Sequence, residues 1–282
     1  MANIAFLGTG LLGGAFAEAA ARRGDTVTAW NRSPDKVLAL ARFGVKSAAT
    51  PADAVRGASR VHLVLKEDAV VDDVIAAAGS GLSADAILID HSTTLPSLTA
   101  QRAARLQAQG VRYLHCPVFM GPPAARNAQG LMVASGPRAL FEAVKADLAL
   151  MTGRLEYMGD RTDLAAVDKL LGNAMIIGMW AVMADVLTLA RASGVDAEDA
   201  IKLLGMLDLN AMVSRRGTTM AKGDFSPSFE LAMARKDVRL MLEVSGNLPM
   251  AALPAVAARM DQLIAAGHGD KDASVMAIES TH

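Results

Sequence analysis

Short, largely apolar runs punctuate the first half of the chain. IAFLG (residues 4–8), TVTAW (26–30), VHLVL (61–65) and AILID (86–90) are flanked by polar or turn-forming residues. Runs of this length predict strands covered on both faces. Helix-like stretches lie between them, at residues 15–23 before Gly24 and at residues 34–43 before Gly44. Strands that alternate with helices predict βαβ units, a parallel sheet and right-handed crossovers.

From Leu164 onward no strand pattern is found. Helices are predicted over residues 164–193, 197–206, 229–245 and 254–266, with Gly194, Gly246 and Gly267 as stops. Most of the 16 methionines fall in this half, which suits adaptable packing between helices. Residues 170–184 (LLGNAMIIGMWAVMA) carry no charge, but Asp185 follows at once. The run is shorter than the roughly 20 residues that span a bilayer, so it predicts a helix buried within a domain or between subunits. The expected fold class is α/β: a Rossmann domain over residues 1–160, then an all-helical domain over residues 161–282, with the boundary near Gly159, Asp160 and Arg161.

Composition narrows the function. The 282 residues are 52% hydrophobic and 20% charged, enough for two packed cores. A net charge of −1 gives no basic excess for nucleic acid or an anionic membrane. The single cysteine, Cys116, forms no internal disulfide and has no metal-ligand cluster beside it in sequence. No positively charged leader opens the chain. A reducing, cytoplasmic setting is expected.

The chemistry starts at Gly8-Thr9-Gly10-Leu11-Leu12-Gly13, between the first strand and the first helix. Gly8 permits a tight turn, Gly10 lets backbone approach a pyrophosphate, and Gly13 lets helix and strand pack closely. The helix start at Leu11 and Leu12 offers free N–H groups and a positive dipole end. After the second strand, an NAD site expects an acid for the ribose hydroxyl. Asn31-Arg32-Ser33 stands there instead. Arg32 can fork onto a 2′-phosphate and Ser33 can hydrogen-bond it, so NADPH is expected over NADH; the alternative has Arg32 stacking on adenine without preference.

Five segments in order resemble the β-hydroxyacid dehydrogenase family: the glycine loop with WNRSPDK; Asp90-His91-Ser92-Thr93-Thr94-Leu95-Pro96; Pro117-Val118; Gly159 followed by Lys169-Leu170-Leu171-Gly172-Asn173; and Lys236-Asp237. The family includes 3-hydroxyisobutyrate dehydrogenases and glyoxylate/succinic semialdehyde reductases. The resemblance implies a dimer or tetramer built through the helical domain. It also implies that Leu65, Thr93 and Lys236 border the cofactor, as does Lys66, which stands where the family often has proline.

Hydride transfer to a carbonyl leaves charge on oxygen, which a lysine ammonium can polarise and protonate. Lys169 and Asn173 are four apart and share a helix face. The resemblance makes Lys169 the catalytic residue and Asn173 its companion at the substrate; a snorkelling lysine and a packing amide are the alternatives. The family's substrate loop reads D-x-P-V-S-G-G, but here it reads His115-Cys116-Pro117-Val118-Phe119-Met120-Gly121. Phe119 and Met120 remove the carboxylate-binding signature and are expected, with Gly121, to line a more apolar pocket, unless they turn inward as core. His115 is expected to be structural, and Arg126 is either a second anion contact or an exposed loop residue. The expected function is NADPH-dependent reduction of a small aldehyde, semialdehyde or keto acid. An imine reductase and a non-catalytic nucleotide sensor or scaffold are the competing readings, and both are weakened by Lys169.

Overall fold

A computed structural model describes residues 2–280. The chain forms two compact units, Met1–Asn173 and Ala174–His282. In the first unit the elements are β1 (Asn3–Leu7), α1 (Leu11–Arg22), β2 (Thr26–Trp30), α2 (Asp35–Leu38), β3 (Lys46–Ser47), α3 (Pro51–Val55) and β4 (Arg60–Leu63). They continue with α4 (Asp68–Ala78), β5 (Ile87–Asp90), α5 (Pro96–Ala108), β6 (Arg112–His115), β7 (Val118–Phe119), α6 (Pro122–Arg126), β8 (Leu131–Ser135), α7 (Arg138–Ala149) and β9 (Arg154–Gly159). The long α8 (Leu164–Ala192) begins in this unit, so Lys169 and Asn173 belong to it.

The nine-stranded sheet runs β3-β2-β1-β4-β5-β6-β8-β7, with β9 on β8. Its core is parallel, as the apolar runs require. Alternate residues of β1 feed opposite faces: Ile4 and Phe6 pack with α1, α6 and α7, while Ala5 and Leu7 pack with α3, α4 and α5. The far edge departs from the expected parallel sheet, because β8 is antiparallel to both β6 and β7. The links there are too short for a crossover, so the chain turns back. Pro34 to Phe43 is not one helix either: α2 ends at Leu38 and a 3-10 turn covers Ala41–Phe43.

The second unit continues α8 and adds α9 (Ala197–Met206), α10 (Leu209–Ala221), α11 (Leu231–Ser245) and α12 (Leu253–Leu263). No strand occurs among its described residues beyond an isolated Glu230–Asp272 bridge. The sequence reading missed α10, whose charged and β-branched residues blur its apolar stripe, although Asp208 caps it by accepting from the Ala211 N–H. Leu231, Ala234 and Val238 line one stripe of α11 against Ala257, Met260 and Leu263 of α12. Asp185 is buried, and its carboxylate accepts the backbone N–H groups of Ala251, Ala252 and Leu253, which lead into α12. Those bonds hold its pKa below the usual carboxylate value against the opposing effect of burial.

The uncharged run ends at Ala184 and lies within the helix expected over residues 164–193. It belongs to a 29-residue helix that is long and apolar enough to cross a membrane by length and composition. Of the two settings expected for it, burial within a domain does not hold: Met175, Ile177 and Trp180 are all more than half exposed.

Candidate active site

The parallel strands β1 and β4 lie side by side while their connections diverge, β1 leading to β2 on one side and β4 to β5 on the other. Such a switch point leaves a crevice at the carboxyl ends of the strands. Gly8 sits there with φ +98°, a conformation that favours glycine. A Cβ on Gly8 would run into the Val64 carbonyl, and one on Gly13 into the Gly8 carbonyl. Gly10 has nothing within 4 Å of where a Cβ would stand, so its face is open for a ligand. α1 begins at Leu11, buries Gly13 and leaves Leu11 85% exposed. No side chain caps this helix start, so its N–H groups and dipole are free to receive phosphate.

Asn31 ties the loop to β2. Its Oδ1 accepts from the Thr9 N–H at 3.0 Å, and its Nδ2 donates to the Ser33 carbonyl at 3.1 Å. Its side chain therefore shapes the cleft wall. The cleft has a volume of about 550 Å³, and its lining includes Gly8, Gly10, Asn31, Arg32, Ser33, Leu65 and Lys66. Lys36 also lines it; the sequence reading quoted this residue within WNRSPDK and gave it no role. Arg32 and Lys36 make no ion pair among the described residues, whereas Lys66 lies 3.6 Å from Glu67. The open face at Gly10, the uncapped helix start and the unpaired cations fit a phosphorylated dinucleotide.

The loop after β4 lines this cleft and is stitched to the loop after β5, whose residues, Thr93 included, are not in the lining. The Leu65 N–H donates to Ser92 Oγ, and the Ser92 N–H donates to Asp90 Oδ1. Thr93, next after Ser92 in sequence, is exposed. Arg102 is fully buried beneath; it donates to Asp72 at 2.8 Å and to Asp68 at 2.9 Å, and Asp68 accepts the Leu95 N–H. Tyr113 donates its hydroxyl proton to Asp90 Oδ2. His115 lies within hydrogen-bond reach of Thr94 and Ser92, the structural role expected of it. Behind Ser92, His91 Nδ1 lies 2.7 Å from the Cys116 carbonyl and its Nε2 lies 2.9 Å from His62 Nδ1. The carbonyl can only accept, so His91 carries its proton on Nδ1 and His62 donates to His91. Burial lowers both imidazole pKa values, that of His91 to about 4. Burial also raises the Cys116 thiol well above its ordinary value, so that sulfur is no nucleophile.

Lys169 projects from the first turns of α8. Its Nζ donates to the Val118 carbonyl at 2.7 Å and lies 4.2 Å from the centroid of the Phe119 ring. Half-burial lowers its pKa from the ordinary lysine value. Asn173 lies one turn further on, half-buried. The turn at residues 118–121 divides its side chains: Phe119 faces Lys169, while Met120 packs against the sheet core. Gly121 is exposed and caps the short α6. Arg126 donates to Glu18 at 2.8 Å, which commits it to a protein carboxylate. Lys236 belongs to α11 of the second unit, where it pairs with Asp237 at 3.0 Å.

Residues 3–159 match the family described as the NAD binding domain of 6-phosphogluconate dehydrogenase, and residues 165–278 match that described as NAD-binding of NADP-dependent 3-hydroxyisobutyrate dehydrogenase. Glyoxylate/succinic semialdehyde reductase 1 of Arabidopsis thaliana is 28% identical, with 97% of this chain and 96% of that protein covered. The 3-sulfolactaldehyde reductase of Escherichia coli (strain K12) is also 28% identical, with 98% and 95% covered. Among solved structures, an imine reductase from Myxococcus stipitatus in complex with NADP+ superposes with a TM-score of 0.86 at 21% identity, covering 97% of this chain and 98% of that one. At that identity the likeness is one of fold.

Proposed function

The chain belongs to the β-hydroxyacid dehydrogenase family, and from that premise we propose an NADPH-dependent reductase of a small carbonyl compound with Lys169 as its proton donor. The observation that carries this reading is the half-buried ammonium of Lys169, held by the Val118 carbonyl on the turn where the family binds substrate. Gly8, Gly10 and Gly13, with the N–H groups at Leu11 and Leu12, would receive the pyrophosphate. Arg32, Ser33 and Lys36 would receive the 2′-phosphate. Leu65, Lys66 and Thr93 would flank the nicotinamide, with Lys236 assigned to the cofactor from the family pattern.

Bound NADPH supplies the hydride. Lys169 polarises the carbonyl oxygen, gives it a proton and regains one from water. Asn173, on the same helix face, orients that oxygen. Desolvation favours the step by weakening the ammonium's hold on its proton. In the oxidative direction the same lowered pKa makes the neutral amine more available as a base.

The subunits assemble through the helical unit, where Met175, Ile177 and Trp180 of α8, Met206 of α9 and Met212 of α10 stand exposed together with Met241 of α11. Apolar surface on four helices suits a second copy better than a lipid slab, which would also have to accept Asp168 and Lys169 near the helix start. The reading places the protein in the cytoplasm.

NADPH consumption across small aldehydes, semialdehydes, keto acids and a cyclic imine tests the reading. Turnover of a carbonyl that disappears in Lys169→Ala supports it. NADPH binding without turnover of any carbonyl favours a sensor, and turnover of the imine alone favours an imine reductase.

A further inference from the structure

Phe119, Gly172 and Lys169 fit together in a way that proton donation alone does not require. The Phe119 ring lies over the ammonium and also over Gly172, where any Cβ would overlap the ring carbons Cε1 and Cζ. Gly172 is therefore the seat that allows the ring to reach Lys169. Elsewhere on a helix face glycine costs about 1 kcal/mol against alanine, so the seat is an expense the helix bears.

The donor count then limits the substrate. An ammonium has three N–H groups and no acceptor. The Val118 carbonyl takes one, at 2.7 Å. The ring face covers a second direction, at 4.2 Å. One N–H is left. A ketone or aldehyde oxygen needs only one donor. A carboxylate beside it needs further donors or a second positive charge, and the Phe119 ring next to the ammonium supplies neither. Arg126, the nearby candidate for a second charge, is bound to Glu18. Pro122 and Pro123 offer no N–H.

We propose that Phe119, seated on Gly172, is the specificity-determining residue of this site and selects uncharged carbonyl compounds with an apolar substituent over those carrying a carboxylate next to the reacting carbon. The proposal rests on the reading of Lys169 as the group that meets the substrate oxygen.

The test uses non-reacting probes that share an amide carbonyl and differ in the group beside it, propanamide and oxamate, titrated calorimetrically into the NADPH-loaded protein. The wild type is expected to bind propanamide about ten-fold or more tightly than oxamate. In Phe119→Ser the ratio falls toward one or inverts. Gly172→Ala, which displaces the ring and leaves Phe119 in the chain, moves the ratio the same way. Circular dichroism confirms that each variant is folded; if Phe119→Ser is not, Phe119→Leu, which keeps the bulk and removes the quadrupole, takes its place and should lower the ratio. Equal binding of the two probes by the wild type, or an unchanged ratio in the folded variants, overturns the proposal. Turnover of hexanal in Lys169→Ala is the separate control. Its persistence overturns the underlying role of Lys169, whereas its loss with equal probe binding overturns the role of Phe119 alone.

Discussion

In the cleft after β1 and β2, Arg32 and Lys36 stand exposed and, among the described residues, unpaired, and the donors around Gly10 are backbone groups with open space before them. At the head of α8 the single ammonium of Lys169 is half-buried, bonded to a carbonyl and covered by an aromatic ring. The first region handles charge by leaving it solvated until a ligand arrives. The second withdraws one charge from water in advance. Under the proposed function the difference follows from the tasks. Gripping phosphates needs many donors of modest strength, while moving one proton needs one donor whose pKa is shifted by its surroundings. Between the two regions runs the buried joint of Arg102, Asp90 and His91.

The largest expected effect breaks the Lys169 side. Lys169→Ala should lower kcat by about 10²- to 10⁴-fold with little change in NADPH affinity, measured by steady-state kinetics and by fluorescence titration. A parallel loss of NADPH affinity would mean that the two regions are not separable. In the wild type, reduction needs the ammonium form, so the rate should fall as pH rises through a pKa below the 10.5 of an ordinary lysine. A profile flat to pH 10.5 would contradict the burial argument.

Next comes the joint. Arg102→Met leaves Asp68 and Asp72 without their guanidinium partner and should cost about 3–5 kcal/mol in urea unfolding. A cost near zero would make the pair an ornament of the fold.

The histidines give a smaller, pH-dependent effect. Unfolded His91 takes up a proton near pH 6.5, but in the folded chain it does so only near pH 4. Stability should therefore be fully present above pH 6.5 and be lost as pH falls toward 4, by up to ~3 kcal/mol from this one group. His91→Asn should flatten that slope; an identical slope would remove His91 from the account.

The smallest effect belongs to the nucleotide side. Arg32→Gln should weaken NADPH about ten-fold and leave NADH nearly unchanged, because one exposed cation among several donors is lost. Equal weakening of both cofactors would reassign Arg32 to the adenine.

Much of this was legible in the residues. Strands β1, β2, β4 and β5 follow from apolar runs too short to be helices, whereas the two-residue β3, Lys46–Ser47, carries no such run; the glycine loop follows from spacing that its backbone contacts require. The loss of the serine at position 119 was visible as a departure in chemistry. The second strand of meaning in Gly172 was not, because a glycine in a helix names no partner. Nor was the division between Phe119 and Met120, since neighbouring apolar residues in an irregular turn have no periodicity to sort inward from outward. Arg102 and His62 were invisible for a related reason: their partners lie 30 or 34 and 29 residues away, in different elements.

The sequence by itself determined the parallel sheet, the helical second half, the family and the residue types able to hold phosphate and donate a proton. These depend on local periodicity and on side-chain chemistry, which a linear chain carries in full. Only the tertiary structure decided that the Lys169 ammonium is half-desolvated beneath Phe119, that Arg126 is spent on Glu18, and that the apolar flank of α8 stays uncovered within one chain. Those properties arise from what stands next to each group in space, and burial and neighbouring dipoles, which set donor strength and exposure, exist only once distant segments have met.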